Sequence, residues 1–263
     1  MYRGQAMAIL FDLDGVFYRG DEVIPGAATV AEWARDSAVP HLFVTNTTSR
    51  PRNSLVDKLA GFGIATDTDH ILTPPVAAVQ WCRRHLGARA VVVYVAETTR
   101  AEFAALRLAD DDVGAVIVGD LGREWTFDRL NDAFRHLMHS PPPALIALGM
   151  TRYWQTAHGM QLDVGPFVAA LAYASGVEPV VLGKPAPAFF QAALDLLGSS
   201  AQETLMVGDD IRGDVEGALK VGMRALLVRT GKFRDTDLQL GIEPTGVIDS
   251  VRDLPDWCAR TPG

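Results

Sequence analysis

The stretch Phe11-Asp12-Leu13-Asp14-Gly15-Val16 runs an apolar segment straight into two carboxylates spaced i, i+2. In an extended chain such residues share a face, and crowded carboxylates repel, so a pair of this kind holds a cation or divides nucleophile and acid/base duties. The same residues also read as a strand-end turn whose aspartates cap the next segment. A second acid cluster occurs in Met206-Val207-Gly208-Asp209-Asp210-Ile211-Arg212-Gly213-Asp214. Asp209 and Asp210 suit a hard divalent cation, whereas Asp214, where the next helix should begin, reads on its own as the cap of that helix. Between the clusters lie Thr45-Asn46-Thr47-Thr48-Ser49, just ahead of Pro51 at an expected first helical position. Hydroxyls and free N–H groups there would suit an anion, or would cap the helix. Lys184, in Leu182-Gly183-Lys184-Pro185, either neutralises a phosphoryl group beside carboxylates or is an ordinary surface lysine.

Each of these four places follows a short apolar run. Similar runs recur at Ala8 to Leu13, His41 to Thr45, Val91 to Val95, Ala115 to Val118, Leu145 to Leu148, Val180 to Leu182, Thr204 to Val207 and Ala225 to Val228. They predict buried parallel strands. Helical patterns alternate with them, among them Ala27 to Asp36, Pro51 to Phe62, Pro75 to Leu86, Arg100 to Leu108, Phe127 to Met138, Pro187 to Leu197 and Gly213 to Val221. Alternation of this kind predicts an α/β fold with a mainly parallel sheet, in which ligands sit beyond the carboxyl ends of strands. Polar residues at those ends are therefore the place to look for chemistry.

Composition restricts the partners. The chain has 263 residues, 48% of them hydrophobic, and a net charge of −8. That is a folded protein large enough for one or two domains, and the acidic balance without a Lys/Arg run argues against nucleic acid or an anionic membrane as partner. Cys82 and Cys258 lack C-x-x-C spacing, which fits a reducing compartment. Met1 to Ala8 carries no apolar segment, and the weakly charged Val164 to Val177 is broken by Gly165, Pro166 and Gly176. The expectation is a soluble cytoplasmic protein. None of the six histidines lies in a motif, so no covalent role falls to histidine.

Taken in order, Asp12-x-Asp14-Gly15, Thr45, Lys184, and Gly208-Asp209-Asp210 with Asp214 resemble the four motifs of the haloacid dehalogenase (HAD) superfamily. The span from Asp14 to Thr45 holds one helical crossover, whereas that from Thr45 to Lys184 far exceeds the ~30 residues of a βαβ unit and requires an inserted domain. This arrangement resembles the type IIA subfamily. The resemblance implies a Rossmann-like parallel-sheet core over residues 1–78 and 179–263, with an α/β cap of the C2 type over residues 79–178. It also implies Mg²⁺-dependent hydrolysis of small phosphorylated compounds through an aspartyl-phosphate, with phosphate esters, pyrophosphate and phosphoamino acids as open alternatives.

By the same resemblance Asp12 is the nucleophile and Asp14 the acid and base. Thr45, Asn46 and Lys184 bind the phosphoryl group. Asp12, the backbone carbonyl of Asp14, and Asp209 hold Mg²⁺, while Asp210 and Asp214 position its waters and Lys184. A homodimer through the cap is a further implication. The stretch Gly149 to Asp163, with Thr151, Arg152, Tyr153, Trp154, Gln155 and His158, reads as a substrate-facing loop or as an ordinary hairpin with half-buried aromatics. Two rival functions remain in view: a phosphoaspartate receiver that does not turn over, against which the insertion and Asp14 speak, and a degenerate binding protein, although no motif carboxylate is missing. A phosphomutase would need its long insertion between Asp14 and Thr45.

Overall fold

A computed structural model of the chain describes residues 8–156 and 158–260. Residues 1–7, on which the expected absence of an apolar leader partly rests, lie outside the described residues, as does Ala157 in the stretch from Gly149 to Asp163.

Alternating apolar runs and helical patterns give alternating strands and helices. The chain begins with strand β1 (Ala8–Asp12), the short hairpin β2 (Tyr18–Arg19) and β3 (Glu22–Val23), helix α1 (Ala27–Asp36), β4 (His41–Val44), α2 (Arg52–Gly61) and β5 (Ile71–Leu72). It continues through α3 (Pro74–His85), β6 (Ala90–Tyr94), α4 (Glu97–Arg100), β7 (Val113–Val118), α5 (Phe127–Leu137), β8 (Ala144–Ala147), β9 (Tyr153–Thr156), β10 (Gly159–Leu162), α6 (Val164–Ser175) and β11 (Pro179–Val181). It ends with α7 (Pro187–Leu197), β12 (Thr204–Gly208), α8 (Gly217–Lys220), β13 (Arg224–Val228), β14 (Gly246–Ile248) and α9 (Leu254–Arg260).

Two compact units result, residues 1–45, 52–72 and 184–263 forming the first and residues 46–51 and 73–183 the second. The first carries a parallel sheet in the order β14-β13-β12-β1-β4-β5. All five residues of β1 are buried, as a central strand covered on both faces requires. From β1 the chain proceeds outward to β4 and β5, and from β12 it proceeds outward the other way, so the strand order reverses between β1 and β12. That reversal opens a crevice beyond the carboxyl ends of these two strands. The register pairs Phe11 with Val207 and Asp12 with Val44, which brings Asp12, Thr45 and Asp209 off the same edge of the sheet.

The second unit has its own parallel sheet, β11-β8-β7-β6, and the antiparallel hairpin β9-β10. The aromatic stretch is thus a hairpin, with Tyr153 49% and Trp154 46% exposed. The changeovers at residues 72/73 and 183/184 differ from the expected 78/79 and 178/179 for a physical reason. The first expected limit falls inside α3, which starts after Thr73 on two prolines with preset φ, and the second would part β11 from its partner β8.

Other differences are local. The helix expected over Arg100 to Leu108 is limited to α4 and a 3₁₀ turn at Ala101–Phe103, because Arg107 accepts a hydrogen bond from Val91 and Leu108 bridges Val91 at the edge of β6. The helix expected from Gly213 is a π-helical turn, Ile211–Glu216, that leads into α8. Strands β5 and β14 have two and three residues, too few to show a periodicity.

Beneath the crevice, the ring of Phe17 meets Phe11 and Phe43 edge-on, with centroids 5.3 and 5.1 Å apart. All three belong to the fully buried core of the first unit. Phe17→Ala should therefore lose about 3–5 kcal/mol of stability through transfer and cavity terms. Urea unfolding of the variant checks this; a loss below about 1 kcal/mol would show that the cluster does not anchor the strand ends.

Candidate active site

The strand-end residues converge. Asp12 closes β1, Asp209 follows β12, and Lys184 stands two residues after Leu182, the N–H of which still bonds to β8. Lys184 Nζ lies 2.5 Å from Asp12 Oδ1 and 2.6 Å from Asp214 Oδ1, and all three side chains are buried. The lysine is therefore not a surface residue. Asp210, rather than Asp214, caps the following segment: its carboxylate accepts from the N–H groups of Arg212 and Gly213 at 3.0 and 2.8 Å. The π-helical turn that starts there carries Asp214 inward to Lys184. Gly208 makes room, since a Cβ on it would lie 2.3 Å from that of Asp214.

A loop after β13 closes over Asp209. The N–H of Lys232 donates to Asp209 Oδ2 at 2.6 Å, Lys232 Nζ donates to Asp210 Oδ2 at 3.2 Å, and the Thr230 hydroxyl donates to the Gly15 carbonyl. Gly15 and Gly231 both have positive φ, +92° and +65°, and a Cβ on either would stand within 2.0 Å of Asp209 Oδ2. Only glycine permits the two backbones to pinch the carboxylate in this way. Lys232 carries no role in the sequence analysis; the signal for it was the polar Thr230-Gly231-Lys232 following a strand end.

Thr45, buried at the end of β4, donates its N–H to the Leu72 carbonyl at 3.1 Å. Asn46 is exposed and begins the short segment that belongs to the second unit. The side chain of Asp14 is exposed, apart from the buried carboxylates. Expected site residues thus divide into a buried cluster of Asp12, Lys184, Asp209 and Asp214, a half-buried Asp210 held by Lys232, and the open side chains of Asp14 and Asn46.

Electrostatics follow burial and neighbours. Burial raises Asp12 above the usual carboxylate range, with Lys184 opposing and Asp209 adding to the shift. Burial pushes Asp209 up to about 6 against the Lys232 N–H, and Asp214 up to about 6 against Lys184. Burial also acts against the charge of Lys184, yet Asp12 and Asp214 outweigh it and hold the ammonium firmly protonated. Asp210 moves the other way: burial is overcome by the Gly213 N–H and Lys232, and its carboxyl falls below the usual range.

Carboxylate oxygens of Asp12, Asp209 and Asp214 lie within 4.8 Å of one another. Asp209 Oδ1 is buried without a hydrogen-bond partner among the described residues. An unpaired buried carboxylate oxygen among oxygen donors is what a hard divalent cation would satisfy, so the residues fit one.

Fold and site place the chain in a known class. Residues 9–109 match the family model described as haloacid dehalogenase-like hydrolase, and residues 181–254 match the one described as HAD-hydrolase-like. The chain belongs to the haloacid dehalogenase-like hydrolase family. Within it, the chain is 35% identical over 253 residues to phospholysine phosphohistidine inorganic pyrophosphate phosphatase of Homo sapiens, covering 94% of this chain and 92% of that one. It is 36% identical to haloacid dehalogenase-like hydrolase domain-containing protein 2 of Bos taurus, covering 88% and 86% respectively. The p-nitrophenyl phosphatase from Archaeoglobus fulgidus superposes with a TM-score of 0.86 at 27% identity, over 96% of this chain and 99% of that one.

The raised carboxylates make a linkage prediction. Between the ordinary 3.8 and about 6, the folded metal-free protein binds more protons at Asp209 and Asp214 than the unfolded chain does. Their contribution to stability is thus present at low pH and lost as pH rises through about 6. A divalent cation competes with those protons. Magnesium should accordingly raise Tm more at pH ~8 than at pH ~5 in scanning calorimetry; an equal rise at both would contradict cation binding at Asp209, beside Asp214.

Proposed function

We propose that the protein is a Mg²⁺-dependent phosphatase that hydrolyses small phosphorylated compounds through an aspartyl-phosphate on Asp12. The observation that carries this reading is the buried ammonium of Lys184, 2.5 Å from Asp12, beside an Asp209 carboxylate with an oxygen left over. Lys184 opposes the rise that burial imposes on Asp12, which favours its nucleophilic carboxylate form, and reduces its repulsion of a phosphoryl dianion.

Asp12 attacks phosphorus as the bond to the leaving oxygen breaks, and Asp14 gives that oxygen its proton. Exposure of Asp14 suits this task, because its carboxyl must reach a substrate atom and then a water. Ionised Asp14 next takes a proton from water, which attacks phosphorus and frees Asp12 with release of phosphate. Thr45 and the N–H groups near Asn46 hydrogen-bond the transferring oxygens, and Lys184 offsets the charge that they gather. Both oxygens of Asp214 are engaged, by Lys184 and by the Asp210 N–H, so Asp12, Asp209 and the Asp14 carbonyl are the groups that would hold Mg²⁺. The cation, when bound, supplies positive charge where nucleophile and phosphate oxygens crowd. Asp210 and Asp214 act indirectly, through Lys232 and Lys184.

Names of the relatives direct the first substrate panel: pyrophosphate and phosphoamino acids beside phosphate monoesters. The same reading includes a homodimer through the inserted domain, which light scattering would detect. Asp12→Asn should leave the fold intact and lower phosphate release by roughly 10³-fold or more, an amide being a poor nucleophile. Turnover near that of the wild type would sink the assignment. Asp14→Asn should slow an alkyl phosphate by about 10²–10⁴-fold and an aryl phosphate much less, since the latter leaves with little protonation. Equal losses on both would contradict the acid role.

A further inference from the structure

A second concavity lies within the first unit, apart from the carboxylate cluster. It has a volume of about 290 Å³, on the order of ten water molecules, between the β2-β3 hairpin and the loops that follow β13 and β14. Residues 23–25 form an apolar wall, in which Ile24 is buried. Arg19, Arg252, Ser250 and Thr230 complete the lining, and Glu22, which pairs with Arg19 across the hairpin, contributes its one carboxylate among the described residues. Arginine presents a planar fork that matches phosphate oxygens.

Two features prepare this place for an anion. The stem of Arg252 is seated against the backbone of Gly26, where a Cβ would lie 2.6 Å from that of the arginine, so the base of this exposed side chain is held beside the cavity. Its only ion pair among the described residues, to Asp253 at 3.5 Å, is long and exposed, and such pairs are worth little. Ser250, buried beside the cavity, has a hydroxyl hydrogen with no acceptor among the described residues. Charge in the lining is thus an excess of cation, with a donor hydroxyl and an apolar wall beside it.

We propose that this cavity binds a small organic phosphate dianion, its phosphoryl group between Arg19 and Arg252 and its compact body against residues 23–25. The cavity also adjoins the catalytic loops. Thr230 lines it and donates its hydroxyl to the Gly15 carbonyl, and the next two residues hold Asp209. A ligand there touches the loop that fixes the candidate cation ligand, which makes the site suited to regulation.

Phenylphosphonate is a suitable probe because its C–P bond resists hydrolysis. Calorimetric titration of the full-length protein in excess chelator should show about one equivalent bound, and Arg19→Gln/Arg252→Gln should weaken it by about tenfold or more. Both arginines are exposed, so the variant should fold, and each single substitution should give part of the loss. Unchanged affinity in the double variant, or no binding by the wild type, would overturn the proposal. With Mg²⁺ present a further equivalent should bind at the carboxylate cluster, independent of the two arginines. If magnesium adds no site, the phosphatase reading fails while the cavity stands.

Discussion

One buried ammonium, that of Lys184, permits Asp12 and Asp214 to lie face to face inside the protein. Each carboxylate alone would be driven to neutrality by burial, and breaking a buried pair leaves an uncompensated charge at a cost of about 3–5 kcal/mol. The pairing at 2.5 and 2.6 Å therefore constrains everything around it. Asp214 reaches the lysine only through a π-helical turn, which Asp210 caps and Gly208 accommodates. Asp210 is itself held by Lys232, the N–H of which fixes Asp209. The network thus leaves the buried Oδ1 of Asp209 without a hydrogen-bond partner among the described residues, and a cation would satisfy it.

Sheet topology supplies the rest. Three segments distant in sequence contribute to the buried cluster, and the strand order reverses between β1 and β12, so that their carboxyl ends face a common crevice. Register then decides which residues emerge together. A shift of one residue between β1 and β12 would replace Asp12 with an apolar neighbour beside Asp209. The edge-on phenylalanines beneath β1 and β4 oppose the corresponding shift between those two strands.

Much of this was legible in the sequence, for reasons that differ from residue to residue. Asp12, Thr45, Lys184 and Asp209 each follow an apolar run, and long buried strands are the easiest elements to read. Lys184 was ambiguous until its partners were known, since nothing local distinguishes a buried lysine from an exposed one. The exchange of roles between Asp210 and Asp214 was hidden because both stand near a helix start, and the π-helical turn that separates them has no periodicity signature. Lys232 is hard to single out, since it holds Asp209 through its backbone N–H, which any residue carries, and its ammonium reaches Asp210 from a loop distant in sequence. Gly15 and Gly231 owe their identity to a distant carboxylate, a contact that local spacing does not reveal. The domain limits shifted for the reverse reason: α3 and β11 look alike from either side until pairing with β8 and the path of the helix are seen.

Central to the account is the claim that Asp12 receives the phosphoryl group. In Asp14→Asn the second step lacks its base, so an aryl phosphate that needs no acid should load the enzyme and stall there. Acid quench, borohydride reduction of the acyl phosphate and peptide mass spectrometry would locate the modified carboxyl. The account predicts that residue 12 alone is modified, in proportion to the aryl alcohol released. Stoichiometric release of the alcohol without modification of Asp12, or with modification of Asp209 instead, would contradict it.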